Sequence, residues 1–148
     1  MTEPLLRITY LSKNSIVQTA THAWVIDQIL ATSQANNAAA GITGALMFNC
    51  GFFGQVLEGP QSQVEATFER IQLDDRHFDV RVLNCGRVDR RVFGQWSMGF
   101  VGLDLESAEF FGRPDEHLFA NPDSVDEDTL FGALHRAALK NELRLSAA

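Results

Sequence analysis

Residues 33–59 read SQANNAAAGITGALMFNCGFFGQVLEG, and the rest of the chain falls into place around them. Asn36 and Asn37 stand where a helical pattern closes, since an asparagine tolerates the left-handed backbone angles that end a helix. Gly41-Ile42-Thr43-Gly44 then leads into an apolar strand, and the chain turns back through a second strand interrupted by Gln55. A core strand has no need of that glutamine. An amide taken out of water without a partner costs about 1–3 kcal/mol, so Gln55, between Phe53 and Leu57, is expected to meet a hydrogen-bonding group.

Working outward, Ile42 to Phe48 and Phe52 to Glu58 form two strands around Asn49-Cys50-Gly51, a hairpin signal. Upstream, Leu5 to Leu11 alternates as a strand, with Leu6, Ile8 and Tyr10 on one face and Leu5, Arg7 and Thr9 on the other. Val25, Ile26, Ile29 and Leu30 form the stripe of a first helix from Thr21 to Asn36. Downstream, Ser62 with Glu65 is a capping-box pattern, and Val64, Phe68 and Ile71 follow at i, i+4 and i+7, which predicts a second helix ending near Asp74 and Asp75. Val80 to Val88 and Gln95 to Val101 supply the remaining strands.

The order is therefore β-α-β-β-α-β-β, a ferredoxin-like α+β sheet with one added strand and two helices on one face. Residues 1–102 form this unit. Residues 103–148 read as an acidic linker and a terminal helix, with Ser124 and Glu127 as a second capping box and Leu130, Leu134 and Ala137 as its stripe. That helix is expected to pack on the sheet face the first two helices leave bare.

A chain of 148 residues suffices for one domain, and at that size about 68–70% of the unfolded surface is buried. The net charge of −7 is concentrated late: residues 101–148 carry 4 Lys and Arg against 10 Asp and Glu, whereas residues 1–100 carry 8 against 9. An acidic chain whose one basic cluster, Arg87, Arg90 and Arg91, is broken by Asp89 is not built for nucleic acid. Cys50 and Cys85 have no C-x-x-C spacing, no apolar run reaches the ~18 residues of a membrane span, and the start lacks a secretory pattern; a cytoplasmic protein off the membrane is expected.

Enzymatic motifs are missing. His22, His77, His117 and His135 are scattered without metal-ligand spacing, and no nucleophile elbow, P-loop or dinucleotide fingerprint occurs. What stands out is a spread set of polar and aromatic groups on apolar elements: Tyr10, Asn37, Gln55, Arg70, Asp74, Arg76, His77, Trp96 and Met98. By residue type alone, Arg70, Asp74, Arg76 and His77 are better read as a solvated helix end, and the spacing of Ile29 and Ile71 is equally compatible with ordinary core.

Taken in order, Tyr10-Leu11-Ser12, Asn36-Asn37 with Gly41-Ile42-Thr43-Gly44, Phe53-Gly54-Gln55-Val56-Leu57-Glu58-Gly59, Asp75-Arg76-His77, and Arg91-Val92-Phe93 leading to Trp96-Ser97-Met98 resemble the BLUF domain, a flavin-binding blue-light sensor. Each piece is weak alone; five in order between Leu5 and Phe100 are specific. The resemblance implies a bound flavin, FAD or in its place FMN or riboflavin, with the isoalloxazine between the two helices and against Ile29 and Ile71. It assigns Asn37 to the pyrimidine edge, Gln55 to a network joining that edge to Tyr10, and Arg70, Asp74, Arg76 and His77 to the pocket or the phosphate side.

It further implies that light drives electron and proton transfer from Tyr10 and leaves Gln55 rotated or tautomerised, with Trp96 or Met98 carrying the change toward the tail. A tyrosine hydroxyl is a donor and an acceptor, and a glutamine amide presents both functions on one rotatable plane, so the residue types suit that chemistry. The chain leaves no room for a cyclase or phosphodiesterase domain, so a short sensor that is not an enzyme is expected, acting on an unidentified protein partner or through a homo-oligomer. A ferredoxin-like ligand or protein-interaction module that does not photocycle is the alternative. A flavin oxidoreductase is the least supported reading, because no second substrate site is apparent. One residue departs from the family: Gly54 stands where a bulky apolar side chain is usual, and a bulge or a close approach that alters packing on the opposite face, favouring a partner or the terminal helix, is expected there.

Overall fold

Alternation along the first strand decides the sheet's two faces. In the computed structural model, which describes residues 3–14, 22–49, 52–74, 77–94, 99–102, 130–132 and 134–135, β1 (Leu5–Asn14) turns Leu6, Ile8 and Tyr10 to one side and Leu11 to the other. The elements that follow are α1 (His22–Ala40), β2 (Thr43–Asn49), β3 (Phe52–Pro60), α2 (Gln61–Gln72), β4 (His77–Val88) and β5 (Gly99–Gly102). The five strands lie in the order β4-β1-β3-β2-β5. β1 pairs antiparallel with β3 and β4, β2 pairs antiparallel with β3, and β5 runs parallel to β2. This is the expected ferredoxin-like α+β arrangement, with β5 appended at one edge.

Each face has its own core. Leu6, Ile8, Tyr10, Leu46, Phe53 and Leu57 pack with Val64 and Phe68 of α2, and Ile29 and Ala40 of α1 close against them, so both helices cover the same side. On the other side Leu11, Ala45, Met47 and Val56 pack with Phe93, Leu130 and Leu134.

Several boundaries differ from the sequence reading for identifiable reasons. α1 runs through Asn36 and Asn37 and stops at Ala40. Gly41, at φ +71°, supplies the left-handed residue, and the bonds from Ile42 N–H to the Asn37 carbonyl (2.8 Å) and from Gly41 N–H to the Ala38 carbonyl (3.4 Å) form a Schellman cap. α2 begins at Gln61 behind Pro60, so Ser62 lies inside the helix and makes no capping box. Its hydroxyl and its N–H instead donate to the carboxylate of Glu3, at 2.9 and 3.3 Å, while Glu65 accepts from Gln61. That places a negative charge at the helix start, where the macrodipole favours one. β4 starts earlier than expected, at His77, and carries two register shifts against β1. Residues 103–129 and 136–148, including the Ser124 and Glu127 capping pattern and Ala137, lie outside the described residues; residues 130–132 and 134–135 are helical.

Candidate functional site

Register brings Tyr10 and Gln55 together. They are cross-strand partners on the two central strands, β1 and β3, and both face the helices. Both are buried, and the Tyr10 hydroxyl donates to Gln55 Oε1. The awkward strand glutamine therefore has its partner. The carbonyl end of the amide is engaged by Tyr10, and its other end is a hydrogen-bond donor.

The Tyr10 ring lies 5.4 Å from that of Phe68 and 6.3 Å from that of His77. Burial, and then the negative charge of Asp74, push its pKa well above the ordinary range of a phenol. Tyr10 is held as a neutral hydrogen-bond donor.

Above this pair opens a pocket between the two helices. Ile29 and Ser33 line it from α1, Ile71 and Asp74 from the end of α2, and Leu46 and Phe53 from the sheet. His77, the first residue of β4, lines it as well, and its orientation is fixed at both nitrogens. Nε2 sits 2.5 Å from the Ile71 carbonyl, which can only accept, so Nε2 carries a proton; Nδ1 sits 2.9 Å from Ser12 Oγ. In the neutral ring, Nδ1 accepts from the Ser12 hydroxyl.

The other expected site residues divide. Asn37 is buried on α1, one turn beyond Ser33. Arg70 is exposed on α2, does not line the pocket, and donates from Nη2 to Thr67 Oγ1 at 3.2 Å. Arg76, Trp96 and Met98 lie outside the described residues. Sequence reasoning does not single out Ser33, Leu46 or Phe53 as pocket residues. It quotes Ser12 in a motif without giving it a role, although alternation from Tyr10 is the signal that places Ser12 on the pocket face.

The opposite face holds a second polar centre that sequence reasoning also leaves out. Glu58 is fully buried. Arg7 donates to its Oε2 from Nε at 2.8 Å and Nη2 at 2.7 Å, and the backbone N–H groups of Val92 and Phe93 donate to Oε1 at 2.9 and 2.7 Å. The Arg7 guanidinium lies 4.7 Å from the centre of the Phe131 ring, and Phe131 meets Phe93 edge-on at 5.5 Å. Among the described residues no group of three or more His, Cys, Asp or Glu could hold a metal ion, and no helix is long and apolar enough to cross a membrane.

A ferredoxin-like sheet with a tyrosine and a glutamine joined beneath a slot between two helices marks a candidate small-molecule site. Residues 5–99 match the family described as sensors of blue light using FAD, and the chain belongs to that family, BLUF. It is 32% identical over 84 residues to the blue light- and temperature-regulated antirepressor BluF of Escherichia coli, covering 57% of this chain and 21% of that one. It is 33% identical over 104 residues to the photoactivated adenylate cyclase subunit alpha of Euglena gracilis, covering 70% of this chain and 9% of that one. The chain thus spans a small part of either curated relative. The dark-state structure of BlrB, a BLUF protein, superposes with a TM-score of 0.71 at 28% identity, covering 94% of this chain and 98% of that one.

The family's cofactor is a flavin, and the lining of the pocket suits one. Isoalloxazine is flat and apolar over most of its surface with a polar pyrimidine edge; Ile29 and Ile71 line the pocket as apolar groups from the two helices, and Gln55 is a polar amide at its floor.

Proposed function

We propose that this chain is a blue-light sensor in which Tyr10 and Gln55 are the residues rearranged by light. The observation that carries this reading is the buried Tyr10–Gln55 hydrogen bond at the floor of the pocket. Ile29 and Ile71 would hold the flavin ring between the helices, Gln55 and Asn37 would meet its polar edge, and Asp74 and His77 would border it. When bound, the flavin supplies the absorption of blue light and, once excited, the acceptance of an electron.

Everything else is the work of the protein. A tyrosine that has lost an electron becomes a strong acid, and the hydrogen bond to Gln55 Oε1 gives the proton of Tyr10 Oη a path. Return of the electron restores the proton to Tyr10 and leaves the tyrosine chemically unchanged. Gln55 is the residue left different, rotated or tautomerised, with its donor and acceptor ends exchanged. No substrate is consumed, and a stored change of this kind biases a second element only by the free-energy difference between its two arrangements.

The chain acts as a sensor rather than an enzyme, in the cytoplasm, with Trp96 or Met98 relaying the change to a protein partner or to a second copy. Support comes from the relatives, where this stretch occupies a small part of an antirepressor and of an adenylate cyclase.

Purified protein loaded with FAD is expected to be yellow and to shift its absorption reversibly to the red under blue light. Tyr10→Phe and Gln55→Leu should each take up flavin and lose that shift. Protein that takes up no added flavin would end the sensor reading, and a normal photocycle in either variant would refute the role given to that residue.

A further inference from the structure

Gly54 stands in the middle of the sheet, opposite Leu11 on β1 and Met47 on β2, and both ladders pass through it without a register shift. The expected bulge is absent; the close approach is present. Leu11 and Met47 belong to the core on the face away from the pocket, and between them residue 54 contributes no side chain, which leaves a hole. Leu130 fills that hole. A Cβ built on residue 54 would lie 2.7 Å from Leu130 Cδ1, 3.1 Å from Cδ2 and 3.4 Å from Cγ, so a side chain there would require Leu130 to shift.

Around this contact the segment is held by Leu134, fully buried in the same cluster, and by Phe131 over the Arg7 guanidinium. Gly54 also shares a peptide unit with Gln55, whose side chain projects to the opposite face and accepts from Tyr10. Between the β3 backbone beside Gln55 and Leu130 no side chain of residue 54 intervenes. Opening a gap of about 0.5 Å forfeits roughly a quarter of a dispersion contact.

We propose that the Gly54 hole is a docking seat for the C-terminal helical segment, with residues 130–135 of this chain as its occupant, and that Leu130 reads rearrangement at Gln55 through the bare β3 backbone. The seat itself stands on packing alone; its use as a readout rests on the sensor reading above.

Amide deuterium exchange at residues 130–135 tests both halves in the full chain. In the dark, Gly54→Ala should raise exchange there roughly tenfold, because the added methyl meets Leu130, whereas in a Leu130→Ala background the same change should not raise it further. Alanine suits a strand interior better than glycine, so circular dichroism should report an intact sheet. Equal effects of Gly54→Ala in both backgrounds, or no effect on the native chain, would overturn the seat. Under blue light, flavin-loaded native protein should exchange faster at 130–135, and the Gly54→Ala, Leu130→Ala double variant should show the spectral shift without that change. A spectral shift in the native protein with unchanged exchange would overturn the readout and leave the sensor reading standing. Absence of any spectral shift would remove the sensor reading and the readout together, while the dark measurements still decide the seat.

Discussion

Tyr10 is the chain's one tyrosine, so its ionisation can be followed by phenolate absorbance without interference from another phenol. Burial and Asp74 hold its folded-state pKa above the value near 10 of an exposed phenol. Below about pH 10 both the folded and the unfolded chain keep the proton; above it the unfolded chain releases it first, so this residue's contribution to stability is lost as pH rises. Alkaline titration of the native protein should show no phenolate at pH values where the denatured chain is fully ionised, and the denaturation midpoint should fall with increasing pH across that interval. A native titration curve matching the denatured one would contradict the buried, Asp74-facing position.

The same residue marks what is legible at this scale. Period-two spacing put Tyr10 on an inward face and flagged Gln55 as polar among apolar neighbours, but only strand register, a long-range property, makes them partners. Ser12 and His77 are joined across 65 residues, which local pattern does not reveal.

At the scale of elements, the expected order of strands and helices holds, and the errors lie at their ends. Two asparagines looked like a helix stop, yet a stop needs a left-handed residue followed by two returning hydrogen bonds, and Gly41 offers that geometry at no steric cost. Ser62 and Glu65 have the spacing of a capping box, but Pro60 fixes the entry to α2 and Glu3, distant in sequence, takes the bonds a local cap would have made.

Glu58 is the element-scale feature that sequence spacing conceals entirely. It ties β3 to β1 through Arg7 and to the turn after β4 through two backbone N–H groups. Removing one partner of a buried, hydrogen-bonded pair strands the other's charge, so Glu58→Ala is expected to lower stability by about 3–5 kcal/mol, measured from the urea midpoint and slope. A loss below about 1 kcal/mol would mean that Arg7 is solvated rather than dependent on Glu58.

Considered as a whole molecule, the sheet is a partition one strand thick. Tyr10, Gln55, His77 and the pocket occupy one side; Glu58, Arg7 and the C-terminal segment occupy the other. The sequence announces two faces through alternation and offers the Leu130 and Leu134 stripe as a cover for the second, and both side chains are buried on that face. At Gly54 the β3 backbone itself is the contact surface for that segment.

The sheet's rims carry a different consequence. Among the described residues β4 pairs only with β1, and its ladder is broken twice, between Thr9 and Tyr10 and between Leu11 and Lys13, with Asp79 at φ +51° in the second break. An outermost strand that is crooked or charged is a poor template for a neighbour's backbone, which protects a protein from stacking edge to edge into fibres. Deleting Asp79 would straighten β4 and restore strict alternation opposite Ser12, and light scattering at high concentration should then rise above that of the native chain. Unchanged scattering would mean that the crooked rim has no protective role. If two copies of this molecule do associate, broad sides rather than borders are the surfaces left for them to use.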